Sequence, residues 1–521
     1  MKTKELSRLG GIIDIGSSQV VLKIKENKKN TVTDLENLSF PLNIGRDTFT
    51  LGKISVDNVT RLERIITNYC QIIDSYSLER YRIIATTAMQ EAANRDFILD
   101  QLKIKTGKKI NVLDDREAKY LIVKEMCRLL SESKEDYYGR SLVAYIGTGN
   151  LVVSIYEDGQ IHYSQNIQIG SLKLSEMLGL IQEKTENFHQ VIEEYLNTFT
   201  FSLKNNLIPN KTTRFIASGR EIELIAELCQ TEERGEMMAI SREELEQLYE
   251  KVKHLTPEQI QTEYALSEEA AEILIPSLAI YKTILHFTEA KEIIALHILI
   301  SDALLHEMLF PKTSRAWNRD FEKNILISAH NIGNLFNYDY AHSASVEKHC
   351  LFLFDELKNL HGMKRRERLL LQIAAKLHEC GKHLSLKDHN LHSYYLIKNT
   401  EILGLSNSET EIVASIARYH SSLIPGNDQA HFSSLPQKDR LIVARLTAIL
   451  RMADALNRSH LDKFSELRLS FKNEELLVSA YSDKDTWLED WTFKKKAGFF
   501  TDVFGVNVRL EKESGEIDGF I

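Results

Sequence analysis

Residues 12–24 read IIDIGSSQVVLKI, and residues 142–155 read LVAYIGTGNLVVSI. In each stretch an apolar strand runs into a tight turn that contains glycine and then continues as a second apolar strand, a pattern typical of a β-hairpin. Glycine lets backbone N–H groups approach an anion, and Ser or Thr hydroxyls add further donors. Two such hairpins that face each other would therefore hold a phosphate, whereas one alone is too common to indicate a function.

Composition limits the class of protein. The chain has 521 residues, 43% of them hydrophobic, which is enough for three or four domains with packed cores. It has no apolar run long enough to span a membrane and no signal-peptide pattern, so we expect a cytoplasmic protein without a membrane partner. Five scattered cysteines predict reduced thiols rather than disulfides or a zinc site. A net charge of −9 argues against a nucleic-acid partner.

Between the two hairpins the pattern alternates between helix and strand. Residues 55–79 have helical periodicity, and residues 81–87 read as a buried strand that ends in small polar side chains. A helix is predicted from Met89 through Leu99, and a short strand at 110–113 precedes a segment with the acidic character of a helix start. The alternation predicts an α/β domain.

A third turn of small residues follows the second hairpin. The strand at 214–217 leads into Ser218-Gly219-Arg220, and a helix follows. Ligands in open α/β sheets bind at the carboxyl ends of strands, which is where Thr86, Thr87 and Glu117 would lie. We therefore expect the turns and strand ends to share one site.

The order of these motifs resembles the exopolyphosphatase/guanosine pentaphosphate phosphohydrolase (Ppx/GppA) family. Each motif is short, but the collinear set is specific. The matching stretches are residues 14–18, 85–88, 91–94, 116–118, 146–149, 169–170 and 218–219. The resemblance implies two actin-like (ribonuclease H-like) α/β lobes, followed by an all-α HD-type domain and a small α+β C-terminal domain.

The resemblance extends into the C-terminal half. From about residue 306 the chain is almost entirely amphipathic helix with many histidines, and the tail alternates strand and helix. This region is similar to the HD-type domain and the closing domain of the longer family members. The predicted domains are lobe I, lobe II, the HD-type helical domain and the small C-terminal domain, at residues 1–125, 126–305, 306–460 and 461–521.

The family resemblance implies an activity and a set of site residues. It implies an exopolyphosphatase that releases terminal orthophosphate from inorganic polyphosphate, or an enzyme that hydrolyses guanosine pentaphosphate to tetraphosphate. Glu117 matches the family's catalytic base, although an acid there could simply cap a helix. Asp14 would help to bind Mg²⁺ (or Mn²⁺). The predicted phosphate-binding residues are Gly16, Ser17, Ser18, Thr86, Gly147, Thr148, Gly149, Asn150, Ser218 and Gly219.

Three positions depart from the family pattern. Tyr145 and Val152 stand where the family has an aspartate and a glutamate near the metal, and Gln90 stands where it has an arginine. Fewer carboxylates weaken Mg²⁺ binding, and loss of the arginine removes a charge-assisted phosphate contact. The alternative function is therefore a catalytically degenerate member that binds polyphosphate or (p)ppGpp as a sensor or regulator. A kinase on the same fold is disfavoured, because no nucleoside-pocket signature is present.

The histidines of the helical half have two interpretations. His342, His378, Glu379 and Asp454 match the metal ligands of a working HD phosphohydrolase, with Glu379 one methylene longer than the usual aspartate. In the long family members this domain is generally a scaffold, so we expect packing, a channel wall and a homodimer contact. The residues expected to form a polar, partly basic channel wall are Lys382, His389, His392, Arg418 and His420.

Overall fold

The structure is a computed structural model. It describes residues 8–513 except 133–139, 148, 183, 186, 208–211, 232, 235–236, 297 and 473–474. The chain divides into two compact units, Met1–Asn324 and Ile325–Ile521. The search of the described helices finds none with the length and hydrophobicity needed to cross a membrane. The predicted domain bounds, homodimer and cytoplasmic location stay predictions.

The first unit contains two mixed β-sheets. The strands of the first sheet are β1 (Arg8–Ile15), β2 (Gln19–Lys28), β3 (Thr31–Pro41), β4 (Tyr81–Ala85) and β5 (Asn111–Val112). Those of the second are β6 (Ser141–Ile146), β7 (Leu151–Glu157), β8 (Gln160–Ile167), β9 (Arg214–Ser218), β10 (Glu233–Arg234), β11 (Met237–Ser241) and β12 (Glu292–Leu296). The strand orders are β3-β2-β1-β4-β5 and β10-β11-β12-β9-β6-β7-β8.

The two sheets repeat one topology. Read from β8 to β12, the second sheet has the strand order of the first: three antiparallel strands, then two that run parallel to the first strand of the hairpin. Each sheet has its own hydrophobic core, and Ile13 and Leu22 belong to the first core while Leu142 and Val153 belong to the second. The first unit is therefore built from two lobes of the same design.

Helices cover the sheets of the first unit. They are α1 (Ile44–Leu51), α2 (Val56–Ser75), α3 (Thr87–Glu91), α4 (Arg95–Thr106), α5 (Asp115–Glu132), α6 (Ser171–Gln182), α7 (Phe188–Leu207), α8 (Arg220–Leu228), α9 (Arg242–Val252), α10 (Pro257–Tyr264), α11 (Glu268–Leu285), α12 (Ile300–Leu309) and α13 (Pro311–Leu335). The chain boundary between the units falls within α13. Helix α2 begins after Ser55, whose hydroxyl accepts from Asn58 N, and its apolar stripe is buried, as helical periodicity predicts.

The helix predicted from Met89 through Leu99 is wrong as a single element. The chain forms α3 and α4, with a break at residues 92–94. The amide of Asn94 explains the break, because its Nδ2 donates to Ile54 O at 2.8 Å and its Oδ1 accepts from Ile54 N at 3.1 Å. This pair of hydrogen bonds holds the chain against the segment that precedes α2, an interaction across 40 residues that local periodicity does not contain.

Helix α12 returns the chain to the first lobe. It packs on β1, and Lys23 Nζ lies 2.8 Å from Asp302 Oδ1. Asn27 Nδ2 donates to Leu309 O at 3.1 Å in a buried hydrogen bond. A methyl group on Gly10 would lie 3.3 Å from Met308 Cβ, so the helix and strand are in close contact. The core of the first lobe is thus completed by residues about 280 positions later in the chain.

The second unit is helical with a small sheet at its end. After the boundary its helices are α14 (Tyr340–Glu356), α15 (Lys358–His361), α16 (Arg365–Leu377), α17 (His389–Asn399), α18 (Asn407–Arg418), α19 (Ala430–Ser433), α20 (Gln437–Leu456) and α21 (Trp487–Phe504), with a 3₁₀ turn at Cys380–His383. The strands β13 (Glu466–Lys472), β14 (Glu475–Tyr481) and β15 (Asn507–Glu513) form the sheet. Helix α21 packs on both β15 and α20, so the sheet and the helices share one compact unit.

Candidate functional site

The two glycine hairpins have the same turn geometry. Gly16 N donates to Gln19 O at 2.9 Å, and Gly147 N donates to Asn150 O at 2.8 Å. Both glycines line one cavity of about 300 Å³ in the first unit. The structure therefore brings the two turns to a common space.

Glycine is needed in these turns for space rather than for backbone angle. The φ angles of Gly16 and Gly147 lie outside the left-handed region. A Cβ atom on Gly147 would lie 2.9 Å from Asn150 Oδ1 and 3.2 Å from the Tyr145 ring, and one on Gly16 would lie 3.1 Å from Gln19 O. Both turns are tight because their own neighbours occupy the room that a side chain would need.

Asp14 and Tyr145 occupy equivalent positions before the two turns. Asp14 pairs with Val21 across the first hairpin, and Tyr145 pairs with Val152 across the second. Both side chains line the cavity. Burial raises the pKa of Asp14 to about 6, against the opposing charges of Arg220 and Lys23. Burial also raises the pKa of Tyr145, so the second hairpin contributes a neutral phenol where the first contributes a carboxyl group.

Arg220, to which the sequence analysis assigned no role, places a cation in the cavity. It is the first residue of α8, it lines the cavity, and its guanidinium contacts the side chain of Gln19. Gly219 precedes it with φ of 129°, and a Cβ there would lie 2.4 Å from Ile146 O. This glycine lets the start of α8 approach the second hairpin. The signal in the sequence was a basic residue directly after a small-residue turn at a strand end.

Glu221 adds a second buried carboxyl group to the lining. Its Oε1 accepts from Ser171 Oγ at 2.6 Å, and its side chain is 4% exposed. Burial raises the pKa of Glu221, while the hydrogen bond from Ser171 opposes that rise. The cavity therefore holds carboxyl groups from both lobes, together with Arg220.

Some of the predicted phosphate-binding residues line the cavity, and others lie elsewhere. Gly149 and Asn150 are not among the described residues that line the cavity, and a Cβ on Gly149 would lie 2.7 Å from Thr87 Cγ2. The tip of the second hairpin thus packs against α3 of the first lobe. Thr148 lies outside the described residues. Those that do line the cavity are Gly16, Ser17, Ser18, Thr86 and Gly147, with the predicted metal ligand Asp14.

Ser218 and Gly219 are not among the described residues that line the cavity, but both contact segments next to it. The Ser218 side chain is fully buried, and its hydroxyl donates to Ile298 O at 2.9 Å. That hydrogen bond ties β9 to the segment before α12. Ser218 fixes the strand and Gly219 sets the position of Arg220, while a contact of either residue with phosphate stays a prediction.

Glu117 does not enter the cavity. Its side chain is exposed, its Oε2 accepts from Asp114 N at 3.2 Å, and its own N–H donates to Asp114 Oδ1 at 2.8 Å. This reciprocal pair caps the start of α5. The buried acid at this helix start is Asp115, whose Oδ1 lies 3.4 Å from Thr87 Oγ1. Burial and the nearby Glu91 raise the pKa of Asp115, which sequence analysis did not single out.

The residues expected to form a channel wall in the second unit differ in exposure. His420 is 2% exposed, so it cannot face an open channel. Lys382 Nζ pairs with Glu379 Oε1 at 2.5 Å, and the Arg418 guanidinium lies over the Tyr394 ring. His389 and His392 are half-buried. His420 is therefore a packing residue, and a channel wall formed by the four partly exposed residues stays a prediction.

A cavity between two lobes of repeated topology defines a two-lobed protein of the actin-like class, with a separate helical unit. Residues 20–309 match the model of the Ppx/GppA phosphatase family, and residues 326–497 match the model of Ppx/GppA phosphatase domain III. The chain therefore belongs to the Ppx/GppA phosphatase family.

Relatives and solved structures agree with this assignment. A guanosine-5'-triphosphate,3'-diphosphate pyrophosphatase from Photobacterium profundum is 22% identical over 87% of this chain and 86% of its own length. One from Pseudoalteromonas translucida is 22% identical over 92% and 93%. An exopolyphosphatase from Cytophaga hutchinsonii has a TM-score of 0.51 at 17% identity, over 58% of this chain and 98% of its own. The predictions of family, fold class and a relationship to phosphoanhydride hydrolases are confirmed.

Proposed function

We propose that the chain hydrolyses terminal phosphoanhydride bonds, either in inorganic polyphosphate or in guanosine pentaphosphate. The observation that carries the proposal is the single cavity onto which both glycine hairpins open, with Asp14 and Arg220 in its lining. The names of the relatives, a guanosine pentaphosphate-type pyrophosphatase and an exopolyphosphatase, support the two substrates. The chemistry needs donors for the transferring phosphoryl group, a cation to offset its charge, and a carboxylate to direct water.

Arg220 and the hydroxyl groups of the first turn supply the donors. A guanidinium presents several N–H groups in a plane and binds phosphate in bidentate fashion. Ser17 and Ser18 line the same cavity and carry hydroxyls that donate to phosphate oxygens. Arg220 replaces, from a different helix, the arginine whose family position is taken by Gln90. The positive charge needed for phosphate is thus retained at another place in the fold.

Asp14 is the residue that would hold a divalent cation. Mg²⁺ is bound in many sites by one or two carboxylates together with water and substrate phosphates, so a single well-placed aspartate fits it. Burial raises the pKa of Asp14 although Arg220 and Lys23 lower it, so these two cations compensate its charged form only in part, and a bound cation would stabilise that form further. Bound Mg²⁺ (or Mn²⁺) would offset the negative charge of the phosphates. Tyr145 adds no anionic oxygen, because its phenol is neutral.

Asp115 is better placed than Glu117 to act as the base. It is buried beside Thr87, the residue that the tip of the second hairpin approaches, whereas Glu117 is exposed and caps α5. Neither acid is among the described residues that line the cavity. A raised pKa brings a carboxylate closer to the range in which a general base is effective. We therefore assign the role of base to Asp115 in this proposal and retain Glu117 as its competitor.

A second candidate function is a sensor that binds polyphosphate or (p)ppGpp without turnover. The observation that favours it is the second hairpin, where Tyr145 is neutral and its partner Val152 is only 1% exposed. Neither provides a carboxylate. Retention of Arg220 would suffice for binding, whereas hydrolysis also needs a base and a cation.

Phosphate release from long-chain polyphosphate and from guanosine pentaphosphate in Mg²⁺ separates the two functions. We expect release by the wild type and a loss of 10- to 100-fold in kcat/KM for Arg220→Gln, because a charge-assisted hydrogen bond contributes about 1.5–3 kcal/mol. Arg61→Gln, an exposed arginine on α2, is the matched control. No release by the wild type, with retained binding of either ligand, would favour the sensor.

The base is tested by two isosteric variants. Asp115→Asn should lower kcat by at least about 100-fold, whereas Glu117→Gln should lower it by less than about threefold, since a glutamine still caps the helix. The reverse order would return the role of base to Glu117. Thermal unfolding of both variants shows whether a loss of activity reflects loss of structure.

A further inference from the structure

Four ionisable side chains meet in the interior of the second unit. They are His342 on α14, His378 and Glu379 after α16, and Asp454 on α20, and each is at most 3% exposed. One atom of each lacks a hydrogen-bond partner in the part of the chain that the structure describes: His342 Nε2, His378 Nε2, Glu379 Oε2 and Asp454 Oδ1. Buried polar atoms without partners are costly, so four in one place require an explanation.

The spacing of these atoms fits ligands around an ion. Asp454 Oδ1 lies 3.5 Å from His342 Nε2 and 3.7 Å from His378 Nε2, and Glu379 Oε2 lies 3.7 Å from His342 Nε2. These distances are too long for hydrogen bonds. Ligands about 2.0–2.2 Å from a tetrahedral ion are about 3.3–3.6 Å apart, which is close to the spacing here.

The other polar atom of three of these side chains is already occupied. His378 Nδ1 donates to Ala375 O at 2.8 Å, which leaves the lone pair on Nε2. Asp454 Oδ2 accepts from Lys496 Nζ, and Glu379 Oε1 accepts from Lys382 Nζ. Such outer contacts orient metal ligands toward a common point.

His342 and His378 differ in which ring nitrogen carries the proton. Its Nδ1 lies 3.3 Å from Asn457 Nδ2, so the proton of the neutral ring is on Nε2 in the metal-free chain. Binding of an ion at Nε2 would displace this proton, as metal binding commonly does.

A second group of donors adjoins the first and shares Glu379. His389 Nε2 lies 3.3 Å from His420 Nε2, while the Nδ1 atoms bond the carbonyl oxygens of Leu386 and Ala417. With both Nδ1 atoms donating, two lone pairs face each other at 3.3 Å. A cation between them removes that repulsion. One candidate ligand atom each of Glu379, His389 and His420 lies within 4.8 Å of the other two.

We propose that the second unit binds a divalent transition-metal ion through His342, His378, Glu379 and Asp454, next to His389 and His420. A donor set of imidazoles and carboxylates selects transition metals rather than Mg²⁺ or Ca²⁺, which prefer oxygen ligands alone. This site lies wholly within the second unit and is independent of the proposed hydrolysis in the first. The competing arrangement is a metal-free core in which Lys382 and Lys496 alone neutralise the two carboxylates.

The test measures metal content directly. Full-length protein is loaded with Zn²⁺ or with Co²⁺, dialysed against metal-free buffer, and analysed for bound metal per chain and for the visible absorption of Co²⁺. We expect at least one ion per chain. We further expect a drop of at least about tenfold in metal affinity for His378→Ala and for Glu379→Gln. His383→Ala, an exposed histidine of the 3₁₀ turn, should match the wild type.

Two outcomes would overturn the proposal. One is a folded wild type that retains no Zn²⁺ or Co²⁺ after dialysis, and the other is unchanged metal binding in both ligand variants. Glu379→Gln keeps the volume of the side chain, so it remains informative if His378→Ala unfolds. Phosphate release by Arg220→Gln is measured separately, so a failure of the metal site and a failure of the proposed hydrolysis are distinguishable.

Discussion

The first and second hairpins share a backbone and differ in chemistry. Each turn is closed by a glycine N–H that donates to the residue three positions on, at 2.9 and 2.8 Å. At equivalent positions before the turns, the first has Asp14 and the second has Tyr145. The comparison teaches that the two lobes share the turn geometry and differ in charge: the charged residues of the cavity lining are Asp14 from the first lobe and Arg220, Glu221 and Glu269 from the second. Four experiments test this asymmetry.

The largest expected effect is that of Asp14→Asn. We expect at least about a 100-fold loss of phosphate release, because the variant removes the carboxylate proposed to hold the cation. The free energy of unfolding at pH 7 should be equal to or higher than that of the wild type, since a neutral amide has no buried charge to desolvate. Asp100→Asn, an exposed aspartate on α4, is the control. A loss below about fivefold would contradict the role of Asp14.

The tip of the second hairpin should be sensitive to a single methyl group. Gly149→Ala would place a Cβ 2.7 Å from Thr87 Cγ2, and we expect a loss of about 1–3 kcal/mol in the free energy of unfolding by urea. The double variant Gly149→Ala/Thr87→Ser removes that methyl group and should recover part of the loss. Gly179→Ala on α6, where a Cβ meets nothing within 4 Å, is the control. Equal stability of the wild type, Gly149→Ala and the double variant would show that the lobes are not in contact at this tip.

The pH dependence follows from the raised pKa of Asp14. With a pKa of about 6, the ionised fraction falls about tenfold between pH 7 and pH 5, and we expect kcat/KM to fall by the same factor. The free energy of unfolding depends on pH in the opposite direction to kcat/KM. Because the pKa of Asp14 is higher in the folded chain than in the unfolded chain, protonated Asp14 adds to the free energy of unfolding. This contribution is fully present below about pH 4 and is lost as pH rises through about 6. Comparison of urea unfolding of the wild type and Asp14→Asn from pH 4 to pH 8 isolates that contribution, and parallel curves would refute it.

The smallest expected effect is that of Tyr145→Phe. If the second hairpin contributes only a neutral phenol, removal of the hydroxyl should change phosphate release by at most about fivefold, the value of one ordinary hydrogen bond. A loss above about 100-fold would show that the phenol takes part in the reaction and that the two hairpins are chemically more alike than their side chains indicate.

Local patterns predicted the hairpins because every determinant of such a turn lies within a dozen residues. The exposure of Glu117 could not be predicted from local patterns. Residues two apart on a helix point about 200° away from each other, so Asp115 and Glu117 lie on opposite faces of α5. Only the packing of α5 decides which face is buried, and that packing is absent from the local pattern. The resemblance to a family motif favoured Glu117, and the fold buries Asp115.

Arg220 and the break before α4 were missed for a related reason. Both depend on partners far away in the chain: Arg220 reaches Gln19, and Asn94 bonds Ile54. The histidine cluster was different, because the sequence did supply its residues. What it lacked was the information that their unpartnered atoms converge, which only coordinates provide.

The return of α12 to β1 affects how the protein is made. A ribosome that adds about 5–20 residues per second needs roughly 15–55 s to proceed from Lys23 to its ion-pair partner Asp302. During that interval the nascent first sheet lacks the helix that covers the Gly10 side of β1. The apolar face stays open to other chains until synthesis of the second lobe is complete. Protection by a chaperone that binds extended apolar segments would be most useful in this interval, and truncation before residue 300 would make the exposure permanent.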